Sequence, residues 1–554
     1  MDSGFKGSFS LKTRGENIKR LRNERFQIIV IGGGITGAGI ARDAAMRGVK
    51  TALIEKADFG WGTSSRSSKM IHGGLRYLKQ LHIRLVRESL REREILLHLA
   101  PHLIHATPFL IPIYKGGKER KFHIEIGLFG YDLLAGSKSV GHHKKLSKEE
   151  ILEIEPLIRA EGLKAGFIYY DCLVNDARLT LATVKSAHQN GAVIANYMKA
   201  TGFVKRNGKI TGVKFRDELS GETGVIEGDV FINAAGVWVD SVRDLAGDEP
   251  GMLRPTKGVH IVFPRKKLNV NNIVIIPAKD NRIIFTVPYG DFVYVGTTDT
   301  DYNASPDEVR TEREDVDYLF EALGNEFKGC NFKVHDIIST WAGVRPLIHH
   351  EGEPSEVSRD YKITIGDNGL VSIAGGKLTT YRAMAEQLID EVLERFWGMS
   401  VKQFGSCKTA DKPLFGGDIK NYDEFVRSII KGMNKVWGIS EDAVRRLINN
   451  YGTDFLKILG YGLDNSKLLR PVHHEIPLMG AEVIYGVEEE MTLTLLDFME
   501  RRTELMHFTT DNGMSAARTA ARIMGKRLKW SWRERRRQII RYREAVGKMF
   551  IFNN

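Results

Sequence analysis

Residues 26–56 read FQIIVIGGGITGAGIARDAAMRGVKTALIEK, and this stretch decides the architecture of the N-terminal part of the chain. The run Ile28–Ile31 has the length and β-branched content of a buried parallel strand. Gly32, Gly34 and Gly37 then form G-x-G-x-x-G where strand must give way to helix. The first glycine permits the tight turn, the second lets the backbone approach a pyrophosphate, and the third lets helix and strand pack closely. Free N–H groups and the helix dipole at that terminus, where Ile35 and Thr36 begin the first turn, favour the charge of phosphates. A second strand closes on Glu55, 21 residues after Gly34, with Lys56 beside it. A carboxylate there can accept hydrogen bonds from an adenosine ribose. The glycines alone are a weak signal; with two strands and the acid they predict a dinucleotide site.

A chain of 554 residues is too long for one core and predicts two or three domains. Its 42% hydrophobic and 27% charged content is that of a globular protein. No stretch approaches the ~18–20 uninterrupted apolar residues that span a bilayer. Residues 1–25 read as a polar leader without the apolar segment of a signal peptide, and Asp2, Glu16 and Glu24 argue against a transit peptide. Cys172, Cys330 and Cys407 are odd in number and widely spaced, which excludes a disulfide scaffold, an iron–sulfur cluster and a structural zinc site. No metal is expected, and a reducing cytoplasm is the natural compartment. The net charge of +12 is concentrated: Arg518–Lys548 holds twelve Lys/Arg against Glu534 and Glu544.

Outward from the opening unit, residues 70–110 show mostly helical periodicity. From Gly166 to Asn233, β-rich runs alternate with a helix near Leu179–Asn190, and Asn207–Gly208 reads as a hairpin turn. Lys257–Gly296 is strand-rich and predicts an antiparallel sheet of a second domain. Ile363–Ala374 reads as one further strand before a glycine turn and a helix from Thr379. After about Val401 the sequence is helical and increasingly basic. The expected organisation is α/β: a discontinuous Rossmann-like domain (about 26–80, 166–255 and 335–400) interleaved with an antiparallel-sheet substrate domain (about 81–165 and 256–334). A C-terminal α-helical domain, 401–554, follows. Three strand ends, at Gly32–Gly37, Asn233–Gly236 and Gly375–Lys377, each run through small residues into a helix. In open α/β folds ligands sit at the carboxyl ends of strands, so all three are expected to meet on one cofactor.

The chain resembles the FAD-dependent glycerol-3-phosphate dehydrogenases, within the D-amino-acid-oxidase-like flavoproteins. The resemblance runs from Phe26 through the C-terminal domain. It rests on IGGGITGAGIARDAAMRG (31–48), TSSRSSKMIHGGLRYL (63–78), IGLFGYDLL (126–134), YYDCLVNDARL (169–179) and INAAGVWVD (232–240). KGVHIVF (257–263), VGTTDTDY (295–302), WAGVRPL (341–347) and AGGKLTTYRAMAE (374–386) complete the set. Val237 departs from the pattern, in which a proline often follows the glycine.

The resemblance implies bound FAD. Thr63, Ser64, Ser65 and Ser68 would lie along it; without the family, this hydroxyl run reads as a loop or helix cap. Ala235, Gly236, Gly376, Lys377, Leu378 and Thr379 would complete the site, with Lys377 placing positive charge where the reduced flavin is anionic. Arg76, Tyr77, Arg345, Arg359 and Lys377 match family positions around an anionic substrate, for which arginine offers a fork of donors and lysine a point charge. The implied reaction oxidises sn-glycerol 3-phosphate to dihydroxyacetone phosphate, with hydride passing from C2 to flavin N5. His260 is the candidate base and Arg345 the partner of the developing carbonyl oxygen; His72 is the rival base.

The family's dehydrogenases deliver electrons to a membrane quinone and its oxidases to oxygen; the inserted segment usual in the oxidases is not evident. RLKWSWRERRRQIIRYR (527–543) interleaves Trp530, Trp532, Ile539, Ile540 and Tyr542 with arginines, suited to an anionic membrane surface. A solvated helical face or a homodimer contact reads equally well. Leu128 and Phe129 could add apolar membrane contact or belong to the core. The expectation is a cytoplasmic, peripherally membrane-associated enzyme. Alternatives are an oxygen-dependent glycerophosphate or amino-acid oxidase, and a flavoprotein of RNA modification, although no nucleic-acid-binding fold accompanies the basic tail.

Overall fold

The apolar run Arg25–Ile31 forms the centre of a first sheet because its residues are buried on both faces. It pairs in parallel with Thr51–Ile54 on one side and Thr223–Asn233 on the other. Val193–Ala195 and Leu370–Gly375 extend the sheet outward, again in parallel. Helices Ile35–Met46, Asp176–Gln189 and Tyr381–Trp397 pack over one face through Ala38, Ala41, Val184, Leu388 and Val392. The opposite face carries the hairpin of Met198–Arg206 and Lys209–Asp217. That hairpin turns at Asn207 and Gly208, with φ of 50° and 76°, as a two-residue turn between right-twisted strands requires. A computed structural model describes residues 8–79, 82–116, 121–136, 140–249, 251–280, 282–349, 361–398 and 404–553.

Several expectations are corrected here. Much of the polar leader is an integral helix, Leu11–Asn23, started by the Ser10 side chain and packed against the first sheet through Leu21. Its polarity hides a buried contact: the Arg14 guanidinium bonds both carboxylate oxygens of Asp217 at 2.8 and 3.1 Å and the Asn196 carbonyl at 2.9 Å. Residues 70–110 end in a strand, Ile104–Tyr114, because Phe109, Ile111 and Ile113 follow the period-2 pattern of a sheet face. Ile363–Ala374 is two strands, Tyr361–Ile365 and Leu370–Gly375, reversed at Gly369, whose φ is 88°.

The second sheet runs in the order Thr300–Asp301, Leu253–Pro264, Phe292–Gly296, Ile283–Tyr289, Ile273–Pro277, Ile104–Tyr114, Leu163–Val174, Met70–Ile71. Ser339–Ile348 pairs with Leu253–Pro264, and Lys144–Ser147 with Leu163–Val174. The sheet is antiparallel except where Ile273–Pro277 meets Ile104–Tyr114 in parallel. Leu163–Val174 and Ser339–Ile348 therefore join this sheet, although most of their residues fall in ranges expected for the nucleotide-binding part, whereas Leu253–Pro264 lies mostly in the range expected for the substrate domain. Strand identity was readable, but pairing partners are set by contacts distant in sequence.

Beyond Gly375 no strand occurs among the described residues, and helices including Glu441–Tyr451, Gly480–Glu489, Met514–Arg527 and Trp532–Lys548 build the C-terminal part. Buried ion pairs lock it to the rest. Arg501 and Arg502 converge on Asp58 at 2.7–2.9 Å, and Lys69 Nζ lies 2.8 Å from Asp176 and 2.7 Å from Glu504. Removing one partner of a buried pair strands the other charge. Arg14→Ala is expected to lower stability by about 3 kcal/mol in urea unfolding monitored by circular dichroism. An unchanged midpoint would show that the N-terminal helix is dispensable.

Candidate active site

The carboxyl ends of Arg25–Ile31, Thr51–Ile54, Thr223–Asn233 and Leu370–Gly375 open into one cavity of about 1130 Å³. Gly32, Gly34, Ile35, Thr36, Glu55, Lys56, Thr63, Ser64, Ser68, Ala235, Gly236, Gly376, Lys377, Leu378 and Thr379 all line it. The three distant strand ends do converge. Gly37 is not among the lining residues: it faces the Gly32 carbonyl so closely that any Cβ would collide with it. Gly32, at φ 116°, sits against the Ala234 carbonyl with equally little room. Ser65 is also absent from the lining, in contrast to its expected place along the cofactor.

Gly34 caps the Ile35–Met46 helix with no side chain of its own, and the helix terminus lines the cavity. Ser64 Oγ accepts a hydrogen bond from Ile35 N–H at 3.0 Å. Glu55 accepts from Gly33 N–H at 2.6 Å and Ala57 N–H at 2.9 Å, which fixes the carboxylate at the strand end. Burial pushes its carboxyl upward, against the two backbone N–H groups that favour the charged form. Lys56 pairs with Asp307 at 2.6 Å and lies 3.8 Å from the Trp238 ring centroid, so its positive charge is partly committed within the protein.

The hydroxyl run serves the second sheet as well. Thr63 Oγ1 donates to the Val344 carbonyl at 2.6 Å, and Ser68 Oγ lies 2.9 Å from His260 Nε2. His260 stacks on Trp341 at 4.8 Å and 14°, a partner that no local sequence signal revealed. Trp341 in turn donates to the Ser67 carbonyl at 3.2 Å. Among the described residues, His260 Nδ1 is buried without a hydrogen-bond partner. Burial first, then the cations Arg345 and Lys69, hold the imidazole well below its ordinary pKa of 6.5. Gly296, opposite His260 in the sheet, leaves room for that ring: a Cβ there would overlap it.

Arg345 reaches the cavity from Ser339–Ile348 and is oriented by Asp299 Oδ1 at 3.0 Å, Thr297 Oγ1 at 2.9 Å and the Thr298 carbonyl at 3.0 Å. Lys377 Nζ lies 4.0 Å from the Tyr77 ring centroid, which brings the third strand end against the HGGLRY segment. Thr379 Oγ1 fastens that segment by accepting from His72 N–H at 3.1 Å. Asp171 anchors it from the second sheet, accepting from Tyr131 at 2.8 Å and Arg93 at 2.5 Å and from Gly73 N–H at 3.2 Å. His260, Arg345, Tyr77, Lys377 and His72 all line the same cavity. The Arg76 side chain and Arg359 lie outside the described residues.

Residues 27–382 match the family described as FAD dependent oxidoreductase, and residues 407–535 the C-terminal domain of alpha-glycerophosphate oxidase. The chain is 41% identical over 534 residues, 95% of each protein, to the aerobic glycerol-3-phosphate dehydrogenase of Staphylococcus epidermidis. This chain belongs to the FAD-dependent glycerol-3-phosphate dehydrogenase family. It is 42% identical over 528 residues to the Staphylococcus aureus protein of the same description, covering 93% of each. Its fold matches the glycerol-3-phosphate dehydrogenase of Bacillus halodurans complexed with FAD at a TM-score of 0.82 and 34% identity, over 98% of this chain and 99% of that one.

FAD is the cofactor of this family, and the residues present fit it. The helix terminus at Gly34 suits the pyrophosphate, Glu55 ends the second strand, and the contact of Gly37 with the Gly32 carbonyl, which any Cβ would break, holds that terminus against the strand end. Gly37→Ala is expected to purify with little or no flavin. The 450 nm absorbance per protein should fall by about fivefold or more if the collision costs the roughly 1–3 kcal/mol of overpacking. Full flavin content would refute the role assigned to this contact.

Proposed function

We propose that the enzyme oxidises the C2 hydroxyl of sn-glycerol 3-phosphate to dihydroxyacetone phosphate and passes the electrons to a lipid-soluble quinone. The observation that carries this reading is the meeting of Lys377, Tyr77, Arg345 and His260 in the cavity that the three dinucleotide strand ends open into. FAD, when bound, supplies the hydride acceptor. Arg345 and Lys377 hold the phosphate and the developing carbonyl oxygen by charge and by hydrogen bonds. Arg76 and Arg359 are proposed phosphate partners on sequence alone. His260 takes the hydroxyl proton: kept neutral by burial and flanking cations, it stays in the proton-accepting form through neutral pH. Ser68 fixes the ring's Nε2 edge and Trp341 its plane.

Anaerobic mixing with sn-glycerol 3-phosphate should bleach the flavin, and a quinone analogue should restore it. An unbleached flavin would sink the reading, while hydrogen peroxide released in step with turnover would select the oxidase alternative. His260→Ala should slow bleaching by about a hundredfold or more. Because the folded imidazole pKa is lowered, protonation inactivates the base only at acid pH. The acid limb of the bleaching rate should lie below about pH 6.5. A limb at or above neutrality would assign the proton to another group, His72 first.

The structure also supports a membrane-surface partner, at a different place from the basic tail. In that tail Tyr542 is buried and Trp530 and Ile539 pack on the C-terminal core, leaving Trp532 and Ile540 exposed. Helix Lys121–Ala135 instead exposes Phe122 (67%), Ile126 (54%), Phe129 (64%) and Leu133 (71%) as one stripe at helical spacing. Leu128 belongs to the core. Exposed Arg84, Arg87, Lys144 and Lys145 lie on neighbouring elements, the composition that anionic lipid headgroups attract. Among the described residues no helix is long and apolar enough to cross a membrane. The double variant Ile126→Glu/Phe129→Glu should abolish co-sedimentation with phosphatidylglycerol vesicles and leave flavin bleaching intact. Undiminished co-sedimentation would reject this surface.

A further inference from the structure

Lys56 follows Glu55 just past the strand Thr51–Ile54 of the first sheet. Its ammonium lies 2.6 Å from Asp307 Oδ1, 251 residues away in the chain. Asp307 sits in the turn Pro306–Glu308, between Thr300–Asp301 of the second sheet and the helix Arg313–Glu326. This ion pair therefore joins the parts of the chain built on the two sheets, and both of its residues line the cavity.

The two sides of the pair are held very differently. Lys56 lies 3.8 Å from the Trp238 ring centroid and 5.1 Å from that of Trp61, and the two rings stack at 5.4 Å and 26°. Gly62 makes room for Trp238, since a Cβ there would come within 2.8 Å of the ring. Trp61 leads into the hydroxyl run, and Trp238 follows the strand end at Ala235–Gly236, so a cation over both rings has a fixed seat. Asp307 has no such seat. Asn303, Ala304, Ser305, Asp307, Glu308 and Arg310 are exposed. Ser305 accepts from Tyr302 Oη at 3.0 Å, from Asp307 N–H at 3.3 Å and from Glu308 N–H at 3.0 Å, bonds that close within the segment. Among the described residues, the pair with Lys56 is the one hydrogen bond or ion pair joining residues 303–310 to anything beyond Tyr302. A segment with so few ties opens locally at low cost. When the pair breaks, the turn moves and the lysine stays.

We propose that Asp307 is a cofactor-retaining residue that acts through Lys56. The pair fastens the turn 303–310 at the cavity wall beside Glu55, where the adenosine ribose of FAD is expected, and its opening is the step that lets FAD leave. Asp307 is thus a positioning residue, contributed to the nucleotide site by the part of the chain built on the second sheet. The inference rests on FAD as the family's cofactor and is independent of the electron acceptor and of the proton-accepting residue. Because the Lys56 and Asp307 side chains are 26% and 51% exposed, salt screens their attraction, and cofactor retention should weaken as ionic strength rises.

Flavin loss from the holoenzyme tests this, followed by desalting samples at intervals and reading the flavin absorbance left on the protein. Wild-type loss should quicken by about two- to fivefold between about 20 and about 500 mM KCl, the range an exposed ion pair supports. Asp307→Asn should lose flavin about three- to fivefold faster than wild type at the low salt and respond little to added salt. Asp307→Glu keeps the charge and should stay within about 1.5-fold of wild type. Glu308→Gln removes the same charge one residue along and should also match wild type. Equal loss from Asp307→Asn and wild type at low salt would overturn the proposal. So would an equal acceleration in Glu308→Gln, which would mark a general charge effect. Flavin that stays with the acid-denatured wild-type chain would overturn it as well, because a covalent link needs no such fastening.

Discussion

Between Gly32 and Gly37 the backbone of a strand end and the first turn of a helix touch with no side chain between them. That approach turns the helix terminus into the cavity and leaves the ends of four parallel strands level with one another. Each further part of the site is built on that platform. Ala234 packs against Gly32 from the second strand end, and Gly376 and Lys377 arrive from the third. A methyl group at this point would push helix and strand apart. The cavity would lose its floor before any residue concerned with chemistry was touched.

The second constraint is electrostatic. Charges buried between the two sheets and the C-terminal helices are placed in matched sets. Asp58 is held by Arg501 and Arg502, and Lys69 by Asp176 and Glu504. Such groups are costly to desolvate and tolerate few arrangements, so they act as registers for the pieces they join. Lys69 adjoins Ser68, which bonds His260, and its charge helps keep that imidazole neutral. The C-terminal part thereby bears on His260, the proposed proton acceptor, through Glu504 and Lys69.

How far the chain could be read in advance follows from the range of the interactions. The opening strand, turn and helix are local: period, glycine spacing and the acid at Glu55 lie within about thirty residues and were legible. The hairpin at Asn207–Gly208 was legible for the same reason. The helix Leu11–Asn23 was not, because its Arg14 and Asn17 look like surface residues until Asp217 and Ile194 are brought to them from about 180–200 residues away. Strands such as Leu163–Val174 were recognisable as strands, yet the sheet they join depends on partners that periodicity does not name. Trp341 against His260 belongs to the same class.

Local spacing and residue chemistry were therefore enough to specify a dinucleotide turn, the small-residue strand ends, and a supply of arginine, lysine and histidine suited to an anionic alcohol. Placement came from folding in three dimensions. Long-range pairing brought Lys377 to Tyr77 and His260 to Ser68 and Trp341, and it removed Ser65 from the cavity wall. It also divided one amphipathic helix, giving Leu128 to the core and Phe129 to the outside, with Gly127 on the cavity wall. The physical reason is that a side chain's type is carried by the chain itself, whereas its burial and its partner depend on whichever distant segment packs across from it.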